Sequence, residues 1–594
     1  MHIGDKGRLG QASILALAVS GCGGGSAAPT VGASVSAPAP SPSPSPTPPP
    51  MTSTGIVAAD AEAARFLLRA SFSASVAEIE AVKQKGRSAW LRSQMTWPND
   101  QSATDYVRAN GFDEVNSDRE FASDRNLDRV IWHQLLTGGN SVRKRVAFAL
   151  SQFFVVSNSP RLRMWWPTQA FAAFWDTLNE HAFGNFRDLL EAVCLSPVMG
   201  VFLDTIGSRK DDEKTGRVPD ENFARELMQL FSIGLFELNL DGSNRLQNGE
   251  PIETYTNSDV AGLARAFTGY DVDMTDATSF PDPANPNRII PGVQSVRQPM
   301  TANPSNWPRP ESESQHSLLE KRFLGVAVPP GTGPRDTLRM ALDTLFNHPN
   351  VGPFFAKQMI QRLVTSNPTP DYVRRVASVF NDNGAGVRGD LAAVFEAILV
   401  DEDAYTDNSL NDFRFGKLRE PVVRFVQFAR SFRLYKSDSV GVTRDLSDNQ
   451  KLLSQSPFRA RSVFGFFRPN YVPPRSVTAA NDMFAPEFQV VEETSIAAYV
   501  NFIVASVDGR GFWLNDLQPD YTYELGLSDQ PEALINHLDL VLTAGQLRSA
   551  TRDAIFRAVS AIDVLQSDPE DGRTRRVHTA VALTLCSNDF MIQK

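Results

Sequence analysis

Apolar side chains in the run Val142-Arg143-Lys144-Arg145-Val146-Ala147-Phe148-Ala149-Leu150-Ser151-Gln152-Phe153-Phe154 fall at i, i+4, i+8 and i+11, the spacing of one buried face of an α-helix. A half-buried strand would need strict alternation, which the run lacks. The same period returns at i, i+3 and i+6 in Val76-Ala77-Glu78-Ile79-Glu80-Ala81-Val82. Comparable stretches occupy 186–195, 221–234, 257–267, 334–347, 351–365, 371–380, 390–399, 416–434, 490–505 and 544–563. So many amphipathic segments need one another's apolar faces, which predicts an all-α fold, a large multi-helix globular body. Ser75 and Asp390 stand where helix N-caps belong. Asp241-Gly242, between Phe236-Glu237-Leu238 and Arg245-Leu246, predicts one short β-hairpin. Residues 204–220 are polar and charged and 272–315 are proline-rich, so two long irregular loops interrupt the helices; loops of that length are commonly functional or mobile. No fixed-period repeat occurs, which disfavours a solenoid.

The first 21 residues read as a lipoprotein signal peptide, not as part of the body. Lys6 and Arg8 precede Ile14-Leu15-Ala16-Leu17-Ala18-Val19, an apolar stretch too short to span a bilayer. It ends in Val19-Ser20-Gly21-Cys22, which resembles the lipobox of bacterial lipoproteins, in which Cys22 is lipidated and becomes the first mature residue. The competing reading is an ordinary secretory signal cut nearby, with Cys22 incidental. The chain has only 3 cysteines and one of them sits where the box needs it, which favours lipidation. Gly23 after the cysteine resembles cargo sorted to the outer membrane. Each buried methylene of an attached lipid is worth about 0.8 kcal/mol, so the membrane would hold the protein through Cys22 without a transmembrane helix. Residues 22–54 continue as a Pro/Ser/Ala-rich tether expected to favour extended polyproline II. Residues 55–594 then form a single large helical domain.

At 42% hydrophobic the chain has the material for a sizeable core. The net charge is −10, and cleavage before Cys22 removes Asp5, Lys6 and Arg8, together +1, leaving −11. That balance argues against nucleic acid as a partner. Besides the anchor only Cys194 and Cys586 remain, too few for a cysteine-based metal site. Cys194, inside Leu189-Leu190-Glu191-Ala192-Val193-Cys194-Leu195, reads as a small core residue.

Several motifs in one order resemble the bacterial domain-of-unknown-function family number eighteen hundred. They run from Ala64-Arg65-Phe66-Leu67-Leu68-Arg69 through Arg145-Val146-Ala147-Phe148-Ala149-Leu150-Ser151-Gln152 to Pro219-Asp220-Glu221-Asn222-Phe223-Ala224-Arg225-Glu226-Leu227. Thr256-Asn257-Ser258-Asp259, Asn347-His348-Pro349 with Lys357 and Arg362, Lys417-Leu418-Arg419-Glu420-Pro421 and Gln455-Ser456-Pro457-Phe458 follow. The resemblance covers roughly residues 60–590. It implies an exported, envelope-associated helical protein, commonly accompanied by another exported protein similar to sulfatases, and it implies no known reaction or cofactor. Where many members read His-Asp, this chain has His316-Ser317, followed by Lys321 and Leu324-Gly325.

Among residues that can carry chemistry, Glu221, Arg225 and Glu226 open an otherwise apolar helix. Glu221 and Arg225 are i,i+4 neighbours, whereas Glu221 and Glu226 diverge by about 140°. Glu221, Glu226 and Asp259 are the candidate catalytic carboxylates, among which the pair of acids that polysaccharide cleavage needs would be found. A structural ion-pair network is the competing reading for Glu221 to Glu226, and a helix-start position after Thr256 is the competing reading for Asp259. Arg225, His348 and His316 are candidate binding residues; His348, before Pro349, reads equally as a cap. His181 falls at a helix C-terminus. Phe171, Phe174 and Trp175, with Trp165-Trp166 before them, either stack on sugar rings or belong to the core. No His-Glu-x-x-His, Gly-x-Ser-x-Gly or phosphate-loop motif occurs, so no metal or nucleotide site is expected.

Two functions follow as expectations. One is a lipid-anchored scaffold or binding partner of another exported protein. The other is an envelope hydrolase or lyase acting on polysaccharide through these carboxylates, with 272–315 as a lid.

Overall fold

The computed structural model describes residues 56–594 except 117, 159–162, 435–443 and 510–517, so Cys22 and the tether lie outside the described residues. The helical period holds where it is strongest. Ser141–Ser151 is a helix that buries Val142, Val146 and Leu150, and it packs on Pro167–Glu180 and Val351–Leu363. Pro334–Asn347, Val351–Leu363, Pro370–Asn381 and Leu391–Val400 are consecutive helices in which neighbours pack in turn, the last reaching Arg87–Met95. A C-terminal group of Glu493–Val507, Pro531–Leu538, Ser549–Ser560 and Pro569–Leu585 packs around the last of these. One continuous cluster of buried apolar side chains runs from Ala63 to Phe590. Each fully buried Leu or Phe in it contributes roughly 1.5–3 kcal/mol. The body is all-α, and among the described residues no helix is long and apolar enough to cross a membrane.

Local chemistry sets the helix starts. Ser75 accepts from the Glu78 amide at 3.2 Å while Glu78 Oε2 accepts from the Ser75 amide at 3.0 Å, a reciprocal capping box. Asp390 accepts from the Ala393 amide at 3.2 Å.

Three sequence expectations need correction. The 416–434 stretch does not start as a helix: Lys417–Leu418 pairs antiparallel with Ile592–Gln593, and the helix begins only at Pro421, which fits its missing N–H to a first helical turn. There is more than one hairpin. Asp241-Gly242 does turn the chain, with Leu238 opposite Asn244, but a second tight turn follows at Asn248-Gly249, whose φ values of 54° and 87° suit the Leu246–Gln247 and Glu250–Pro251 pair. Two further strand pairs lie at Phe280–Asp282 with Asn285–Ile290 and at Lys321–Phe323 with Val326–Val328. Lastly, 272–315 is built into the body. It buries Ile290, Val296, Met300 and Trp307, and Arg297 pairs with Asp113 at 3.0 Å, so it is anchored rather than lying free as a lid.

Candidate functional site

The three carboxylates singled out from the sequence have three separate jobs. Glu221 occupies the position just before the Asn222–Gln229 helix without a side-chain capping bond, and its carboxylate lies 3.1 Å from Arg225. Their side chains are 43% and 38% exposed, so this is a surface pair worth about 0.3–0.5 kcal/mol and not a buried network. Asp259 is fully engaged: Oδ2 accepts from the Thr256 amide at 2.8 Å and Oδ1 from the Leu324 amide at 2.7 Å, while its own amide donates to Thr256 Oγ1. Burial raises its pKa, but these hydrogen bonds outweigh that and hold the carboxyl below its ordinary range. Glu226 is different. It is half-buried, its Oε2 has no hydrogen-bond partner among the described residues, and burial pushes its pKa up, opposed by Arg225.

The histidines are structural in their geometry. His316 is buried, its Nδ1 donates to the Thr268 carbonyl at 2.9 Å, and Nε2 lies 3.3 Å from Thr337 Oγ1. Burial drives its pKa down to about 4, so the ring is neutral at pH 7. Ser317 donates to Asp211 at 3.1 Å, and Asp211 also takes Arg265 at 3.1 Å. His348 ends the Pro334–Asn347 helix and accepts from the Asn350 amide at 3.2 Å. His181 caps the C-terminus of Pro167–Glu180. Phe171, Phe174, Trp175 and Trp166 are core residues, the first three grouped around Phe458 at centroid distances of 5.3, 6.1 and 6.3 Å. Cys194 is buried and Cys586 is partly so, and both are free thiols. Among the described residues no group of His, Cys, Asp and Glu is arranged to hold a metal.

Two features went unrecognised in the sequence. The first is a buried polar centre. Glu420 Oε2 accepts from Gln455 Nε2 at 2.7 Å and from Gln152 Nε2. Arg145 donates to the Arg362 carbonyl, and Arg362 to the Gln152 carbonyl, each at 3.0 Å. Lys417 Nζ lies 2.8 Å from Glu487 Oε1, and burial raises the Glu487 pKa against the pull of Lys417. Burial likewise lowers Arg362 to about 10. Glu420 Oε1, Glu487 Oε2, Gln152 Oε1, Ser456 Oγ and Arg362 Nε are buried without a hydrogen-bond partner among the described residues. A small cavity of about 40 Å³ adjoins this centre, lined by Gln152, Arg362, Gln455 and Ser456 together with Phe458 and Phe464. A signal was present: Arg145 and Gln152 stand seven residues apart, two helical turns, beside the apolar positions Val142, Val146 and Leu150 that the same helix buries.

The second is a groove of about 890 Å³ between Glu493–Val507, the Gly545–Ala550 turn and the chain's last residues. Leu418, Phe488, Ile496, Tyr499, Val500 and Met591 give it an apolar lining. Arg424 lies over the Tyr499 ring at 4.1 Å, and burial pushes the Cys586 thiol up to about 12. Gly545, on the groove wall, adopts φ +74°, and a Cβ there would lie 3.7 Å from Ile56. The first described residue therefore enters the body beside the groove.

Residues 65–592 match the model of a family described as "Protein of unknown function (DUF1800)". No curated protein and no solved structure matches the chain.

Proposed function

The chain belongs to the DUF1800 family, and from this premise we propose that it is a lipid-anchored cell-envelope protein that acts by binding another exported protein, whose apolar segment it receives in the groove beside Tyr499. The observation that carries this reading is the groove itself. Its volume of about 890 Å³ is at the upper end for ligand sites, its lining is largely apolar, and Phe488 and Ile496 are each 39% exposed. Apolar side chains left open around a concavity mark interaction surfaces. An amphipathic helix laid with its apolar face inward suits such a groove.

The lipobox at Cys22 supports the location. A tether in polyproline II, about 3.1 Å per residue, would let the body reach roughly 100 Å from the membrane surface. Its root at Ile56, next to Gly545, would present the groove to partners in the same envelope layer. The candidate carboxylates lend less support to the hydrolase reading, since Asp259 is committed to capping and Glu221 to Arg225.

The test is affinity purification of the anchored protein from envelope fractions beside Ile496→Asp and Phe488→Asp. An exported partner recovered with the parent and lost in both variants, with melting temperatures unchanged, is the expected result. A partner retained in both would contradict the reading.

A further inference from the structure

We propose that a polar cleft, separate from both the apolar groove and the buried centre, binds an acidic sugar, a uronic acid whose carboxylate is held by Arg129. The cleft holds about 500 Å³, within the roughly 300–1,000 Å³ of small-molecule sites. Its lining comes from the Ala103–Ala109 and Leu127–Leu136 helices, the Asp100-Gln101 segment, the Thr137-Gly138 turn and Lys144. The floor is buried and fixed. The Tyr106 and His133 rings stack with centroids 3.9 Å apart, and Lys144 Nζ lies 3.0 Å from Asp100 Oδ1. Gly138, at φ +80°, lets the chain pass close to this pair, since a Cβ there would lie 2.6 Å from Lys144 Nζ. The rim is open: Gln101, Asn110 and Gly138 are exposed, and Arg129 and Thr137 are partly so.

Charge sets the sign of the ligand. The lining carries Arg129 and Lys144 against Asp100, a surplus of one positive charge. His133 adds none at pH 7, because burial and the charge of Lys144 push its pKa down to about 4. Asp100 is committed to Lys144, whereas Arg129 has no carboxylate partner among the described residues and rests on the Phe112 ring at 5.1 Å, which holds it in place. Arg430, behind the turn, donates to the Thr137 and Gly138 carbonyls at 2.8 and 3.3 Å and keeps the field positive. A planar carboxylate suits one guanidinium, and Asp100, 31% exposed, would repel the second charge of a phosphate monoester. The neutral rim selects a hydroxylated ring. Asn110 Nδ2 is spent on the Tyr106 carbonyl and Thr137 Oγ1 donates to the His133 carbonyl, so both turn oxygens to sugar hydroxyls, while the Gln101 amide can donate or accept.

Calorimetric titration of the intact protein in detergent tests this, with digalacturonate and cellobiouronate as probes and cellobiose, glucose 6-phosphate and glucosamine as controls. Cellobiose differs from cellobiouronate only in lacking the carboxylate. At least one uronate is expected to bind, more tightly than every control, with affinity lowered at least about tenfold in Arg129→Gln at unchanged melting temperature. Raising salt from about 20 to about 300 mM should weaken binding to the parent protein, which reads the charge without any substitution. The proposal is overturned by no binding of either uronate at millimolar concentration, by equal binding of cellobiose, by tighter binding of glucose 6-phosphate, or by affinity unchanged in Arg129→Gln or across the salt series.

Discussion

Lys417 Nζ lies 2.8 Å from Glu487 Oε1, with the two side chains only 3% and 1% exposed. Removing one member of a buried pair leaves an uncompensated charge, at a cost of about 3–5 kcal/mol. Glu487→Gln is therefore expected to lower unfolding free energy by about 3 kcal/mol, and Lys417→Met with Glu487→Leu to recover much of it. Urea denaturation of the two variants decides this; equal losses in both would mean the pair itself is stabilising.

Asp259 closes the capping box with Thr256 and also holds the Leu324 amide. Asp259→Ala should cost about 1–2 kcal/mol in stability, read as a lowered denaturation midpoint. A loss of activity or partner binding without any loss of stability would instead give Asp259 a functional role.

Both the caps and the helices were legible because they are local. The Ser75 box, the Asp390 cap and the Thr256–Asp259 relation each lie within four residues, and the 3.6 period needs no knowledge of partners. The polar centre was not legible in that way. Gln152 and Glu420 are 268 positions apart, and nothing in either neighbourhood says that they meet. The groove escaped for the same reason, since part of its wall forms only when the chain's end returns to pair Ile592–Gln593 with Lys417–Leu418. The exposure of Glu221 and the burial of Phe171 and Trp175 likewise depend on packing that periodicity alone does not resolve.

His316 sets a pH dependence. Its folded pKa, about 4, is below the unfolded value of 6.5, so the unfolded chain binds the proton first and stability falls as pH drops from 6.5 towards 4. The full contribution is about 3 kcal/mol at most. In His316→Gln the loss of stability between pH 7 and pH 4.5 should shrink relative to the parent, as measured by denaturant unfolding at each pH. An identical loss in both proteins would show that His316 is already solvated or protonated.

Glu226 separates the binding and hydrolase readings. Its carboxyl is destabilised by burial, so Glu226→Gln should raise stability slightly, by less than about 0.5 kcal/mol, and leave partner capture intact. A saccharide trapped on the variant, recovered by mass spectrometry, would support catalysis through Glu226.

The most direct test of the binding role is a photo-crosslinking amino acid placed at Ile496 in the intact protein, expressed in its own cells, with the crosslinked peptides sequenced. The account predicts crosslinks to an apolar, helix-forming segment of another exported protein, abolished by adding Phe488→Asp. Crosslinks confined to residues 22–55 of the same chain would contradict it.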